Sequence, residues 1–199
     1  MHLLGKVIDK ERKIKGKRIA YGILFMMIAS AGSLLFGAPK KNAALEIPTV
    51  EQVDFARFEG KWFEISRIPI PVARDWVNTC DIYIPNKDGT WSVRYEGNKG
   101  SATGPRKVLK QKLRIPDPEK PGQMEVSFIP FVWLKYRLIY VSDDYRFMLV
   151  GSSSMDFFWV MSKEAIPSTA DYAKLLEKAV GFGYDINRLE RVSQSGQDR

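Results

Sequence analysis

The chain has 199 residues, 45% of them apolar, and carries 31 Lys or Arg against 23 Asp or Glu for a net charge of +8. A chain of this size builds one sizeable core but hardly two. Its single His, His2, and single Cys, Cys80, exclude a Ser-His-Asp triad, a His metal cluster and an intrachain disulfide, and no cofactor or metal is expected.

Residues 1–18 hold Lys6, Lys10, Arg12, Lys13, Lys15, Lys17 and Arg18 against Asp9 and Glu11. The stretch "IAYGILFMMIASAGSLLFGA", 19–38, has no charge and is long enough, at about 1.5 Å per residue, to cross a hydrocarbon core of roughly 30 Å. Few basic residues follow it, so the asymmetry puts residues 1–18 in the cytoplasm and sends the rest across the membrane. Two fates compete for the segment. It is cut after the Ala29-Ser30-Ala31 triplet, giving a secreted or periplasmic protein, or it stays as an anchor, which the apolar run through Leu34, Leu35 and Phe36 favours. Lipid attachment just behind it is excluded, because no Cys stands there. Seven basic against two acidic residues leave +5 on residues 1–38, and the remaining 24 against 21 leave +3. Most of the basic excess is therefore topology signal, not the basic stripe that nucleic-acid binding needs.

Residues 39–51 read as a linker, 52–193 as the folded domain and 194–199 as a tail. The domain shows short runs of β-branched and aromatic residues between turn signals. Strands are expected at 61–68, 79–84, 91–97, 107–115, 123–129, 136–142, 146–152 and 157–163. In "RKVLKQKLR", 106–114, charged and apolar residues alternate, so its Lys side faces solvent. "PNKDGT", "PDPEKPGQ" and "SDDYR" supply the Pro, Asn, Asp and Gly of tight returns, which makes an up-and-down antiparallel meander of eight. The segment 69–78, "PIPVARDWVN", is too long and apolar for a simple turn and is a candidate lid. After the eighth strand, Ser168 caps a helix with Tyr172, Leu175, Leu176 and Val180 on one face and Gly181 or Gly183 at its end. A short strand near "NRLERV" ends the fold. The fold class is thus mainly β, an eight-stranded barrel with a C-terminal helix. Closure removes the sheet edges and leaves an interior that is filled or holds one small ligand.

The stretch "GKWFEISRIP" resembles the first-strand signature of the lipocalins through Gly60, Trp62, Phe63, Glu64 and Ile65. "VSDDYRFMLVG" resembles the second signature, with Asp144 and Tyr145 in the turn. "FFWVMSKEAIPS" and "GFGYDINRLERV" resemble the eighth strand entering the helix and the segment after it. The pattern is similar to the bacterial lipocalins and apolipoprotein D and covers about residues 52–193.

The resemblance implies that Trp62 plugs the closed end of the barrel. One departure is Lys163, where the family pattern has an Arg across that Trp; Arg188 or Arg191 is the alternative source of a guanidinium. Glu64 lies two residues from Trp62 and so points inward, either as a satisfied core acid bonded to a Tyr, Arg or water or as the group that orients a ligand head. The same alternation gives Ser66, Tyr83, Val93, Tyr95, Trp159 and Met161 as lining residues. Such a lining suits a fatty acid, a lysophospholipid or a similar amphiphile, carried for storage, transport or membrane upkeep. The alternatives are a filled barrel that acts as an interaction module at the membrane, and a Cys80-dependent isomerase as in the lipocalin class that isomerises prostaglandins.

Overall fold

In the computed structural model residues 47–152 and 154–194 are described, and all eight predicted runs are strands. The basic n-region, the apolar span 19–38, most of the linker and most of the tail lie outside those residues. Among the described residues no helix is long and apolar enough to cross a membrane.

A short helix α1 (Phe55–Phe58) precedes β1 (Gly60–Arg67), and a 3-10 turn at Pro71–Ala73 leads into β2 (Trp76–Pro85). Then follow β3 (Trp91–Lys99), β4 (Arg106–Arg114), β5 (Gln123–Ile129), β6 (Val132–Val141), β7 (Phe147–Gly151), β8 (Phe158–Ser162), the helix α2 (Thr169–Gly181) and the two-residue β9 (Glu190–Arg191). Each strand pairs antiparallel with the next, and β1 pairs with both β8 and β2. The sheet is therefore a closed eight-stranded barrel, with β9 added beside β1.

Two predicted boundaries move by more than two residues. The lid segment is shorter than expected, because the 3-10 turn brings the chain back by Trp76. Strand β6 starts four residues early, because Phe131 at φ 68° makes a tight return in which Ile129 pairs with Val132.

Alternation along the strands divides the apolar residues into two cores. Inside the barrel, Phe58, Trp62, Tyr83, Trp91, Met124, Leu138, Met148 and Met161 pack together. Outside it, Ile65, Ile139, Leu149, Phe158 and Val160 meet Leu175 and Ala179 of α2. The helix starts as its sequence indicates, with Ser168 Oγ accepting from the Asp171 amide at 3.0 Å. Its buried stripe is Leu175 and Ala179, with Tyr172 and Leu176 half-buried, whereas Val180 turns out to be 53% exposed, one position past the stripe. Behind the helix Tyr184 stacks on Phe158 at 4.0 Å. Gly151 permits this, since a Cβ there would fall 2.1 Å from Tyr184 Oη.

The C-terminal segment completes the closure. Strands β1 and β2 pair only over Gly60–Phe63 and Cys80–Tyr83. Where they part, Val192 N donates to Ile65 O at 3.0 Å, Asn78 N donates to Ser193 O at 2.7 Å, and Gln194 Nε2 donates to both Glu64 O and Thr79 O. These bonds occupy backbone groups that an open seam would leave unpaired.

The closed end is built around Trp62, fully buried, whose Nε1 donates to Phe58 O at 2.7 Å and so ties α1 to β1. Gly60 at φ +88° turns the chain into the strand. Trp62→Ala should cost about 3–5 kcal/mol, the range for a buried aromatic, as a lower denaturation midpoint. An unchanged midpoint would contradict the plug.

Candidate functional site

Along a regular strand Glu64 and Arg67, three residues apart, would point to opposite faces. In β1 they point to the same one. The pairing with β8 runs Glu64 with Met161 and then Ser66 with Val160, so Ile65 is an extra residue in a β-bulge. Beyond it the alternation is reversed. Ser66 comes opposite the outward Val160, and its hydroxyl accepts from Tyr172 Oη of α2 at 3.1 Å. The expectation that Ser66 lines the interior is thus corrected, and Arg67 takes the inward place opposite Trp159.

The carboxylate and guanidinium are 1% and 4% exposed and form an ion pair at 2.5 Å. Glu64 Oε2 also accepts from Thr79 Oγ1 and, at 3.0 Å, from Tyr95 Oη. Arg67 Nη1 contacts Thr79 Oγ1 and Tyr95 Oη, and its Nη2 donates to Ala73 O at 2.6 Å and Trp76 O at 3.1 Å. The Ala73 carbonyl belongs to the turn between β1 and β2 and the Trp76 carbonyl to the first residue of β2, so the expected lid is held down by the buried arginine. Trp76 stacks on Tyr95 with ring centroids 5.4 Å apart and planes 9° apart, packing above the pair. Removing one partner of such a pair leaves an uncompensated buried charge.

A second carboxyl group stands beside the first. Asp81 lies between Thr79 and Tyr83 on the inward face of β2. Burial, and then the nearby Glu64 charge, push its pKa up to about 8. Its Oδ2 accepts from Tyr83 Oη at 3.3 Å. Tyr83 Oη is bonded in turn to Tyr136 Oη, a contact that spans the barrel from β2 to β6. Burial raises the pKa of both phenols, which stay protonated. Glu64 Oε1 and Asp81 Oδ1 are buried and have no hydrogen-bond partner among the described residues. The site is therefore a polar wall on β1, β2 and β3 that faces Leu138, Val150, Trp159 and Met161.

Of the predicted lining residues, Glu64, Tyr83, Val93, Tyr95, Trp159 and Met161 face the interior. Arg67, Thr79 and Asp81 belong to the same wall and were not expected. Thr79 and Asp81 share the alternation that selects Tyr83, so period-two reading finds them. Arg67 is hidden by the bulge, which no residue type announces.

The signature residues sit at the closed end. Lys163 Nζ lies 4.3 Å from the Trp62 ring centroid and donates to Glu59 O at 2.6 Å. Half-burial lowers its pKa to about 8. The guanidiniums of Arg188 and Arg191 are elsewhere, the first on Met155 O and the second over Tyr172. Asp144 accepts from Ser142 Oγ and the Arg146 amide, and Tyr145, at φ 55°, accepts from the Asp54 amide at 2.6 Å. Cys80 is fully buried, and burial raises its pKa to about 11. At neutral pH it is a thiol, not the thiolate that nucleophilic chemistry requires. Two clefts, of about 260 and 430 Å³, flank the C-terminal segment, the first reaching Arg67 and the turn before β2.

Closed meander, bulged first strand, plugged end and trailing helix together define a ligand-barrel class of fold. A family model described as a lipocalin-like domain matches residues 53–194, and the chain belongs to the lipocalin family. It is similar to temperature-induced lipocalin-1 of Arabidopsis thaliana, 30% identical over 75% of this chain and 84% of that one. It is also similar to the outer membrane lipoprotein Blc of Escherichia coli, 23% identical over 84% of this chain and 94% of that one. Among solved structures, the cockroach allergen Per a 4 superposes with TM-score 0.58 at 19% identity, over 74% of this chain and 92% of that one. Insecticyanin from Manduca sexta gives 0.57 at 17%, over 77% and 94%.

Asp81 sets a pH dependence with a definite sign. Its folded pKa of about 8 exceeds the ordinary 3.8. Below the lower value both states are protonated. As pH rises toward the upper one the unfolded chain ionises first, so folding stability falls. Between pH 4 and 8 the ligand-free wild type should lose at least about 1.4 kcal/mol more than Asp81→Asn, one pKa unit's worth, in denaturation curves at each pH. Parallel curves would contradict the buried position of the carboxyl group.

Proposed function

We propose that the protein is a carrier that holds one small amphiphile inside its barrel, for storage, transport or membrane upkeep. The observation that carries this reading is the pair of unpartnered carboxyl oxygens, Glu64 Oε1 and Asp81 Oδ1, on a polar wall that faces apolar side chains. A buried polar atom without a partner is costly, and a mostly apolar pocket with a few convergent polar groups is how small-molecule sites are built. A bound head group would meet both needs. The name of the Escherichia coli relative, an outer membrane lipoprotein, supports work at a bacterial envelope. In this reading residues 19–38 attach the chain to the membrane with the barrel on the periplasmic side, or are removed to release it.

A second reading, a barrel that serves as an interaction module, draws on the two clefts beside the C-terminal segment. Native mass spectrometry of the full chain, isolated in a fluorinated surfactant and offered fatty acids and lysophospholipids, separates the two. The carrier reading expects one amphiphile per chain, and Glu64→Gln should retain it about ten-fold less well, equivalent to about 1.4 kcal/mol. No adduct from any member of the panel would sink the carrier and favour the module.

A further inference from the structure

The polar wall has a chemical bias that narrows the ligand class. Arg67, the one cation on this wall among the described residues, has both terminal nitrogens engaged by five oxygens, from Glu64, Thr79, Tyr95, Ala73 and Trp76. Lys163, the cation at the closed end, is committed to Glu59 O and the Trp62 face. Neither offers a counter-charge to an incoming anion. What the wall does offer are two unpartnered carboxyl oxygens. Glu64 Oε1 and Asp81 Oδ1 are both buried and both unpartnered among the described residues. Trp62 and Asp81 face each other in register, and Glu64 follows two residues on, so the two carboxyl groups occupy adjacent layers of one wall.

We propose that the barrel selects an amphiphile whose head group donates hydrogen bonds, a hydroxyl or an ammonium, and discriminates against a free carboxylate. This rests on the carrier reading and refines it: of the ligand classes expected from the sequence, a lysophospholipid fits through its free hydroxyl, and a fatty acid anion does not. A hydroxyl placed between Glu64 and Asp81 donates to Glu64 Oε1 and exchanges a hydrogen bond with the Asp81 carboxyl group, and an ammonium donates to both once Asp81 gives up its proton. A carboxylate in the same place meets the Glu64 charge on a water-poor wall with no uncommitted cation among the described residues, and like charges in such surroundings repel strongly. The rings of Tyr83, Tyr95, Tyr136 and Trp159 line the same interior. Their faces suit an ammonium and tolerate a hydroxyl.

The test uses three amphiphiles with the same fourteen-carbon chain: 1-monomyristoylglycerol, tetradecylamine and myristate. The full chain in fluorinated surfactant at pH 7 is offered an equimolar mixture, and the adducts are weighed by native mass spectrometry. The expected result is retention of the glycerol ester, the amine or both at least ten-fold above myristate, and which of the two dominates identifies the donor. Asp81→Asn should shrink that preference several-fold. Thermal denaturation of this variant confirms that the barrel is folded. Equal or greater retention of myristate overturns the proposal and leaves the carrier standing. Absence of all three adducts overturns the carrier reading itself.

Discussion

The buried ion pair between Glu64 and Arg67 is the constraint around which the open half of the barrel is arranged. Two charges are taken out of water there, and their mutual attraction offsets the desolvation only if further hydrogen bonds complete the site. The Thr79 and Tyr95 hydroxyls serve both partners, and the Ala73 and Trp76 carbonyls take the remaining guanidinium donors. One side chain thus fixes β1 to β2, β3 and the turn over the barrel mouth. The geometry depends on a single extra residue, Ile65, since without that bulge Arg67 would point at α2 and Ser66 at the interior.

The two ends of the barrel use different physics. At the closed end, aromatic packing does the holding: Phe58, Trp62, Tyr83 and Trp91 fill the floor, with an ammonium over one ring in place of the forked guanidinium of the family pattern. A lysine makes one directed hydrogen bond here where an arginine could make several. At the open half a polar wall takes over, and the seam between β1 and β2 is closed by a borrowed segment, residues 192–194, in place of direct strand pairing.

Much of this was legible in the sequence, for identifiable reasons. Period-two alternation with turn residues between runs locates strands, so the eight strands, the Ser168 cap and the inward positions of Glu64, Tyr83, Val93 and Met161 follow directly. The Trp62 plug follows from the signature around Gly60. What failed has one kind of cause, a local break in periodicity. The Ile65 bulge reversed Ser66 and Arg67. The φ of 68° at Phe131 let β6 begin at Val132, where the run "PFVW" looks like loop. Val180 lies one position past the buried face of the helix. An acid in a strand reads as solvent-facing, which hides Asp81, although its spacing from Tyr83 points inward.

Asp81 also joins stability to function. A carboxyl group held in a dry wall with one oxygen unbonded weakens the ligand-free fold at neutral pH, and such positions are where binding sites concentrate. The central claim is that Glu64 and Asp81 together receive the ligand's head group. Carbon-13 NMR of the carboxyl carbons, assigned by Glu64→Gln and Asp81→Asn and recorded with and without a retained amphiphile, addresses it at the atoms themselves. The account predicts that both resonances move on binding while those of surface acids such as Asp117 and Glu119 stay in place. Two unmoved resonances in a sample shown to hold ligand would contradict it.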